Sequence, residues 1–324
     1  MPRGARLDAP GTLHHVMIRG IGRRTIVDDE KDREDFVSRL CKLSEETETA
    51  IYAWALMTNH AHILLRSGPS GLSNFMRRLL AGYAAGYNRR HKRFGHLFQN
   101  RYKSIICQED PYFKELVRYI HLNPLRAGLV DTLSKLNRYK WCGHSALLGT
   151  RKNSWQDQAY VLKWFGTRQG PARKAYLEFV KQGADQGQRP ELVGGGLIRS
   201  LGGWSVVKSL RKSGIFEKGD ERILGSGDFV ESVYNQAEEK IKYQLPAKEL
   251  EKEAAALIGR KCKEWKIEMK LLRSGSRFGE VSRLRASLAI QLVNELGLSL
   301  AESARLLGVT TSAASKILRR QNLS

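Results

Sequence analysis

The sequence lacks any hydrophobic run of membrane-spanning length, and its opening residues, M-P-R-G-A-R-L, lack the apolar stretch of a signal peptide. These two absences predict a cytoplasmic protein with no membrane partner. The four cysteines are scattered and form no C-x-x-C pair. Reduced thiols that bind no metal are therefore expected, rather than a disulfide framework or a cysteine zinc site.

Acidic residues are scarce relative to basic ones. The chain has 33 Asp and Glu against 55 Lys and Arg, a formal net charge of +22, and a pI near 10.0. A surplus of this size predicts a polyanionic partner, and nucleic acid is the commonest one. We therefore expect association with the nucleoid. The length of 324 residues predicts two or three domains.

Residues 1–148 alternate between strand and helix patterns. Predicted strands begin at Gly11, Ile51, His60 and Leu97, and predicted helices cover residues 28–43, 71–90 and 111–123. Pro124 disfavours helical geometry in the residue before it, so the third helix is expected to end near Asn123. The order begins as a β-α-β-β-α-β unit. It predicts an α+β domain with a ferredoxin-like antiparallel sheet and helices on one face.

The composition changes after residue 149. Residues 149–272 read as a mostly helical linker or accessory domain, interrupted by a glycine-rich run from Gly194 that we interpret as a loop. No strand-turn-helix pattern frames that run, so it is not a phosphate-binding loop.

Residues 273–324 have the spacing of a helix-turn-helix. S-L-A-E at 299–302 is a capping box, Gly308 breaks the helix that it opens, and another helix begins at Thr310. The outward-facing residues predicted to contact DNA are Ser312, Ser315, Lys316, Arg319 and Arg320. A generic helical hairpin is the alternative. The C-terminal region is thus predicted to be all-α.

The stretch T-N-H-A-H-I-L-L, residues 58–65, places two histidines one residue apart in an apolar run. Residues i and i+2 of a strand share a face, so His60 and His62 would stand side by side. Two neutral imidazoles in that position can hold one divalent metal ion. A pair of strand histidines without a ligand is the alternative.

The third predicted helix contains R-Y-I-H-L-N-P, in which Tyr119 and Asn123 are four residues apart and share a face. A tyrosine beside a metal-bound phosphodiester can attack it and keep the 5′-phosphate as a phosphotyrosine. The Asn123 amide could complete the coordination, and two imidazoles with oxygen ligands suit Mg²⁺ or Mn²⁺. A buried tyrosine and a helix-ending asparagine remain the alternative.

The run N-R-R-H-K-R-F-G-H-L-F-Q-N-R-Y-K, residues 88–103, contains no acid. Basic groups follow phosphates and aromatic rings stack on unpaired bases. We therefore predict a DNA-contact surface, against the alternative of solvated charges with core aromatics. The basic residues are Arg89, Arg90, Lys92, Arg93, Arg101 and Lys103, interleaved with Phe94, Phe98 and Tyr102.

Four segments together resemble the insertion-sequence-type tyrosine transposases of the HUH class, and more closely the REP-associated tyrosine transposases. They are N-H-A-H-I-L-L, R-Y-I-H-L-N-P-L-R-A-G-L-V, G-H-L-F-Q-N-R-Y-K-S-I and D-E-R-I-L-G-S-G-D-F-V. The resemblance implies an HUH nuclease core in which His60 and His62 bind the metal. It implies that Tyr119 is the nucleophile and Asn123 the polar ligand one turn later.

The resemblance further implies a single-stranded DNA endonuclease and strand transferase. Its substrate would be hairpin DNA formed by palindromic repeats that carry a short guide sequence. A replication-type nickase of the same chemistry is the first alternative, and a DNA-binding repressor with a silent metal site is the second. The sequence leaves open whether the active site forms within one chain or across a homodimer.

Overall fold

The structure of the protein is a computed structural model that describes residues 10–99, 101–187, 189–194, 219–243, 247–274, 276, 278–294, 296, 298 and 300–321. The chain divides into two compact units, residues 1–238 and residues 239–324. The first unit contains the sheet, and the described part of the second is helical. The division into 1–148, 149–272 and 273–324 stays a prediction about the sequence.

The described residues form a five-stranded sheet from β1 (Leu13–Arg19), β2 (Ala50–Leu56), β3 (His60–Arg66), β4 (Lys103–Cys107) and β5 (Ile223–Leu224). The strand order is β2-β3-β1-β4-β5. β1 lies antiparallel between β3 and β4, and β2 is antiparallel to β3. This is the arrangement of a ferredoxin-like unit, so the predicted fold class is confirmed. The short β5, which was not predicted, adds a parallel pairing to β4.

Eight helices are assigned in the described residues up to position 243. They are α1 (Glu30–Glu46), α2 (Gly71–Arg90), α3 (Glu109–Arg126), α4 (Leu133–Leu136), α5 (His144–Leu147), α6 (Gln158–Lys163), α7 (Gln169–Gln182) and α8 (Gly227–Tyr243). Short 3-10 turns lie at Ile21–Arg23 and Pro190–Val193.

Helices cover both faces of the sheet, not the single face that we predicted. One core joins Ile18 and Ile63 of the strands to Phe36 of α1 and Phe75 of α2. The other core lies on the opposite face, where Phe113 and the rest of the inner side of α3 pack. The physical reason is visible in β2 and β3, whose side chains are buried in nearly unbroken runs. Strands buried on both faces read as continuous apolar segments, because neither face meets water.

α3 continues through Pro124 to Arg126, so its predicted end near Asn123 is wrong. Proline costs the helix one hydrogen bond and crowds the preceding turn. Pro124 is buried and lies in the last turn, where the Ala127 N–H donates to the Asn123 carbonyl. Burial of the α3 apolar face against the sheet offsets the local cost. The extra turn matters, because it brings Arg126 onto the face that carries Tyr119.

β4 begins at Lys103, whereas the predicted strand began at Leu97. Leu97 and Phe98 are buried on the α1–α2 side of the sheet, and Phe98 makes only an isolated bridge to Gly20. The basic run therefore lies mainly at the end of α2 and in the loop before β4. We call residues 88–102 the basic loop.

The second unit contains α9 (Ala247–Glu264), α10 (Met269–Arg273), α11 (Gly279–Asn294), α12 (Leu300–Leu306) and α13 (Thr311–Gln321), which confirms the predicted all-α C-terminal region. Ser299 of the predicted capping box lies outside the described residues. Gly308 turns the chain between α12 and α13 with a φ of +67°, and a Cβ there would lie 2.2 Å from the Arg273 carbonyl oxygen. Only glycine satisfies both demands.

Among the described helices, none combines the length and the apolar character that crossing a bilayer requires.

Candidate active site and nucleic-acid interface

His60 and His62 project from β3 on the face that packs against α3. In the register with β1, His62 pairs with Met17 and His60 pairs with Arg19. The two imidazole centroids lie 5.4 Å apart at an interplanar angle of 79°. The strand alternation that predicted a shared face therefore also brings the two rings into contact.

Tyr119 of α3 lies against His62 and the neighbouring His15 of β1 across the space between helix and sheet. Its ring centroid lies 5.7 Å from that of His62 and 6.0 Å from that of His15. Burial raises the pKa of the Tyr119 phenol, while the positive charges of Arg126 and Arg19 act to lower it. The helix and the strand thus bring together a phenol and two imidazoles that are far apart in the sequence.

Asn123 lies one helical turn after Tyr119, and its side chain is close enough to that phenol to act on its pKa. Its Nδ2 atom is buried and has no hydrogen-bond partner within the described part of the chain. An unpaired buried amide is costly. This NH₂ group is therefore available to donate to an acceptor on a bound ligand.

Arg126 is a site residue that the sequence reasoning missed. Its guanidinium carbon lies 5.6 Å from the centroid of the Tyr119 ring, and its Nη2 donates to the Gly183 carbonyl. Its Nε and Nη1 atoms are buried without a partner among the described residues. Positions 119, 123 and 126 follow the i, i+4, i+7 spacing of one helix face. That signal was available, but the expected helix end at Asn123 concealed it.

Both strand histidines are held in the neutral state. Burial lowers the pKa of His60 to about 4 and that of His62 well below its usual value, and the charge of Arg19 acts in the same direction. A neutral imidazole keeps a nitrogen lone pair that can bind a metal ion. Two neutral imidazoles and an amide oxygen, such as Asn123 Oδ1, are the kinds of ligand that fit a divalent metal ion.

Two tyrosines of α2, Tyr83 and Tyr87, are other candidate nucleophiles, but they lie on the other side of the sheet. The Tyr83 hydroxyl donates to the Ile26 carbonyl, and the Tyr87 hydroxyl donates to Asp28. Burial raises the pKa of Tyr87 to about 12 and also raises that of Tyr83. Both rings belong to the core that packs against α1, so neither faces the histidine pair.

A second cluster, Asp28, Asp32 and His91, brings three ligand atoms within 4.8 Å of one another. Arg90 already supplies a positive charge there, because its guanidinium lies 2.6 Å from Asp32 and 2.7 Å from Asp29. This network ties the start of α1 to the end of α2. We therefore interpret it as structural.

The residues of the basic loop differ in how far their side chains are exposed to solvent. Arg89, Lys92 and Arg101 are exposed. Phe94 is 97% exposed, whereas Phe98 is only 8% exposed and belongs to the core. The loop therefore presents the exposed Phe94 ring among exposed positive charges.

The other residues predicted to contact DNA differ in their surroundings: two contact other groups of the protein, and three lie on a helix of the second unit. Arg93 lies over the Tyr87 ring, and the Lys103 ammonium donates to the Val193 carbonyl. In the second unit Lys316 is exposed on α13. Arg319 and Arg320 lie on the same helix, and their side chains lie outside the described part of the structure.

Residues 11–123 match the family model described as "Transposase IS200 like". This match confirms the resemblance to insertion-sequence-type transposases that the motifs predicted. A solved structure titled "Structure of the REP associates tyrosine transposase bound to a REP hairpin" is similar at 14% identity and a TM-score of 0.39, over 48% of this chain and 98% of that chain. The comparison with curated proteins finds no match.

Proposed function

We propose that this protein is a metal-dependent endonuclease and strand transferase for single-stranded DNA, and that it acts at hairpin-forming palindromic repeats. The observation that carries the proposal is the approach of the Tyr119 ring to within 5.7 Å of the His62 ring. A phenol next to a pair of neutral imidazoles is the arrangement that metal-assisted attack on a phosphodiester needs. The match of residues 11–123 to a transposase family supports the same reaction.

His60, His62 and Asn123 would hold Mg²⁺ or Mn²⁺, which would polarise the scissile phosphodiester. The Tyr119 phenol would give up its proton to solvent, and its oxygen would attack the phosphorus, so that a new P–O bond forms as the bond to the 3′-oxygen breaks. The 3′-oxygen would take up a proton from solvent and leave as a free 3′-OH. The phosphotyrosine retains the bond energy, so a second 3′-OH can reverse the step and join a new strand.

Arg126 would support this attack electrostatically. Burial disfavours ionisation of Tyr119, whereas the nearby guanidinium favours the phenolate. The same guanidinium has two buried nitrogens with no partner in the described residues, and a phosphate oxygen accepts such donors well. We assign Arg126 the role of holding the scissile phosphate against Tyr119.

DNA would extend from this site over the basic loop, where Arg89, Lys92 and Arg101 would follow phosphates and Phe94 would stack on an unpaired base. The helix-turn-helix would add affinity for duplex or hairpin DNA through Lys316, Arg319 and Arg320. We propose, from these DNA contacts, that the protein acts at the nucleoid in the cytoplasm.

The decisive experiment incubates the protein with a labelled hairpin oligonucleotide and Mg²⁺ or Mn²⁺, and detects a covalent protein–DNA adduct on a denaturing gel. Tyr119→Phe should abolish the adduct, because it removes the attacking oxygen. Tyr112→Phe, which removes a phenol oxygen from the same helix, is the matched control and should leave the adduct intact. An adduct formed by Tyr119→Phe would reject the nucleophile assignment.

The same assay distinguishes the alternatives. His60→Ala should lose cleavage, and unchanged cleavage would show that the metal site is misplaced. Joining of the held 5′ end to an added 3′-OH strand identifies a transferase, whereas cleavage limited to an origin or transfer site identifies a nickase. Binding of duplex DNA with no cleavage under any of these conditions identifies a repressor.

A further inference from the structure

Each of the two strand histidines makes a hydrogen bond on the side of its ring opposite to the metal-binding nitrogen, and each bond leads to a backbone carbonyl. His62 Nδ1 lies 2.9 Å from His15 Nε2, and His15 Nδ1 lies 3.0 Å from the Leu192 carbonyl oxygen. His60 Nδ1 lies 2.6 Å from Asn59 Oδ1, and Asn59 Nδ2 donates to the Arg23 carbonyl.

The Leu192 carbonyl at the end of the first chain of hydrogen bonds determines which atom donates in each bond of that chain. A carbonyl oxygen can only accept, so His15 Nδ1 must carry the proton that Leu192 receives. His15 is completely buried, and its ring contacts a carbonyl and a second imidazole rather than a carboxylate, so the ring is neutral and its Nε2 can only accept. His62 must therefore donate from Nδ1. Its Nε2 then keeps the lone pair.

The second chain gives the same result for His60. The Asn59 amide must turn its Nδ2 toward the Arg23 carbonyl, because only the NH₂ group can donate. Its Oδ1 then faces His60 and accepts from Nδ1. His60 therefore also carries its proton on Nδ1. Both histidines keep the Nε2 lone pair.

We propose that His15 and Asn59 are positioning residues, which hold His62 and His60 in the Nδ1–H tautomer so that both present Nε2 to the metal ion. The proposal rests on the proposed function, because it assumes that these two nitrogens bind a metal. A hydrogen bond from the far nitrogen orients a ligating imidazole and increases its basicity. Without that hydrogen bond, each imidazole ring would populate both tautomers and both ring orientations.

The His15 chain depends on a residue outside the matched segment 11–123. Leu192 is buried in the core that packs against α3, and the neighbouring Val193 carbonyl accepts a hydrogen bond of 2.7 Å from Lys103 of β4. The turn at Pro190–Val193 is thus held against the sheet. The region after the transposase segment therefore contributes to the geometry of the site.

The first test is nuclear magnetic resonance of the full chain with ¹⁵N-labelled histidine and no metal, in which ring nitrogen shifts report the tautomer. The wild-type protein should show Nδ1–H at both His60 and His62. His15→Leu should change the pattern of His62 and leave His60 unchanged, and Asn59→Leu should do the reverse. His14→Leu, a buried histidine on the opposite face of the same strand, should change neither.

His15→Gln keeps the argument testable if His15→Leu fails to fold. One amide can accept from His62 and donate to Leu192, so this variant should keep the Nδ1–H pattern at His62. Titration with Mn²⁺ alone should show binding weakened about 10- to 100-fold in His15→Leu, and less in His15→Gln. An unchanged His62 tautomer in His15→Leu overturns the proposal.

The two proposals fail in different ways. A wild-type protein with the predicted tautomers whose Mn²⁺ affinity is unaffected by His60→Ala would contradict the metal site of the proposed function. A protein whose Mn²⁺ binding needs His60, but whose His62 tautomer does not depend on His15, would contradict only the positioning role.

Discussion

At the scale of single residues, the site is decided by a few buried polar groups that lack a complete set of partners. The Nδ2 atom of Asn123 and two guanidinium nitrogens of Arg126 have no acceptor within the described residues. Leaving such groups unpaired costs about 1–3 kcal/mol each. A bound phosphodiester would offer acceptor oxygens to all three nitrogens, which supports the proposed contact of this site with DNA.

Arg126 gives the first prediction. Arg126→Met keeps much of the side-chain volume but removes the charge beside Tyr119, so the rate of adduct formation should fall by about 10²-fold. Arg126→Lys keeps the charge and should retain part of the rate. Single-turnover kinetics with saturating oligonucleotide measure the effect, with the exposed Arg138→Met as control. A wild-type rate in Arg126→Met would exclude the proposed contact with the phosphate.

His144 gives a prediction about stability. Burial lowers its pKa to about 3, from an ordinary value of 6.5. Its Nδ1 contacts the Tyr176 hydroxyl and its Nε2 contacts the Asn137 side chain. Between these two pH values the unfolded chain binds a proton that the folded chain does not. The stabilisation is therefore complete above pH 6.5 and is lost as the pH falls.

The free energy of unfolding should thus decrease by roughly 1.4 kcal/mol per pH unit below 6.5 on account of this residue. His144→Gln keeps a donor and an acceptor but cannot titrate, so this part of the slope should disappear. Urea unfolding at pH 5, 6 and 7 measures the pH dependence of the free energy of unfolding in the variant and in the wild type. Equal slopes in His144→Gln and wild type would contradict the assignment.

At the scale of elements, the basic loop decides which predicted DNA contacts are available. The sequence shows one uniform run of cations and aromatics. In the structure, Arg90 is bound by two carboxylates, whereas Arg89, Lys92 and Arg101 are exposed. Of the two phenylalanines in the basic loop, Phe94 is exposed and can stack on a base, whereas Phe98 is buried in the core.

Phe94→Ala should lower the affinity for an unpaired oligonucleotide by about 1–3 kcal/mol, or roughly 5- to 150-fold, because one base loses its stacking partner. Fluorescence anisotropy at fixed salt measures the change. The matched control is Phe278→Ala, since Phe278 is 66% exposed in the second unit. Equal affinities of Phe94→Ala and wild type would remove Phe94 from the proposed DNA surface.

At the scale of the whole molecule, a single chain brings Tyr119 close to His62 of the histidine pair. The sequence leaves open whether the active site forms within a chain or between two. The 5.7 Å separation of the His62 and Tyr119 rings within one chain favours a site that is complete in a single copy.

An equimolar mixture of Tyr119→Phe and His60→Ala should therefore form no adduct beyond the sum of the two separate variants. Each chain would lack one essential group, and neither could supply it to the other. The oligonucleotide gel assay measures this after prolonged co-incubation. Restored adduct in the mixture would show that active sites are shared between copies.

The sequence by itself determined the parts of the candidate site that depend on the spacing of residues within one strand or one helix. The i, i+2 spacing of His60 and His62 and the i, i+4 spacing of Tyr119 and Asn123 follow from strand and helix geometry, so both pairs could be named without coordinates. The strand and helix order likewise predicted the ferredoxin-like unit, because hydrophobic periodicity is a local property.

Only the tertiary structure decided how these pairs meet and what supports them. The contacts of His15 with His62, of Leu192 with His15 and of Arg126 with Tyr119 depend on how strands pair and where α3 ends. Residue spacing within one strand or helix does not encode such long-range contacts. Burial of α3 against the sheet also overrides the tendency of Pro124 to end the helix at the residue before it. The same burial sets the hydrogen bonds that leave the Nε2 atoms of His60 and His62 free for the proposed metal ion.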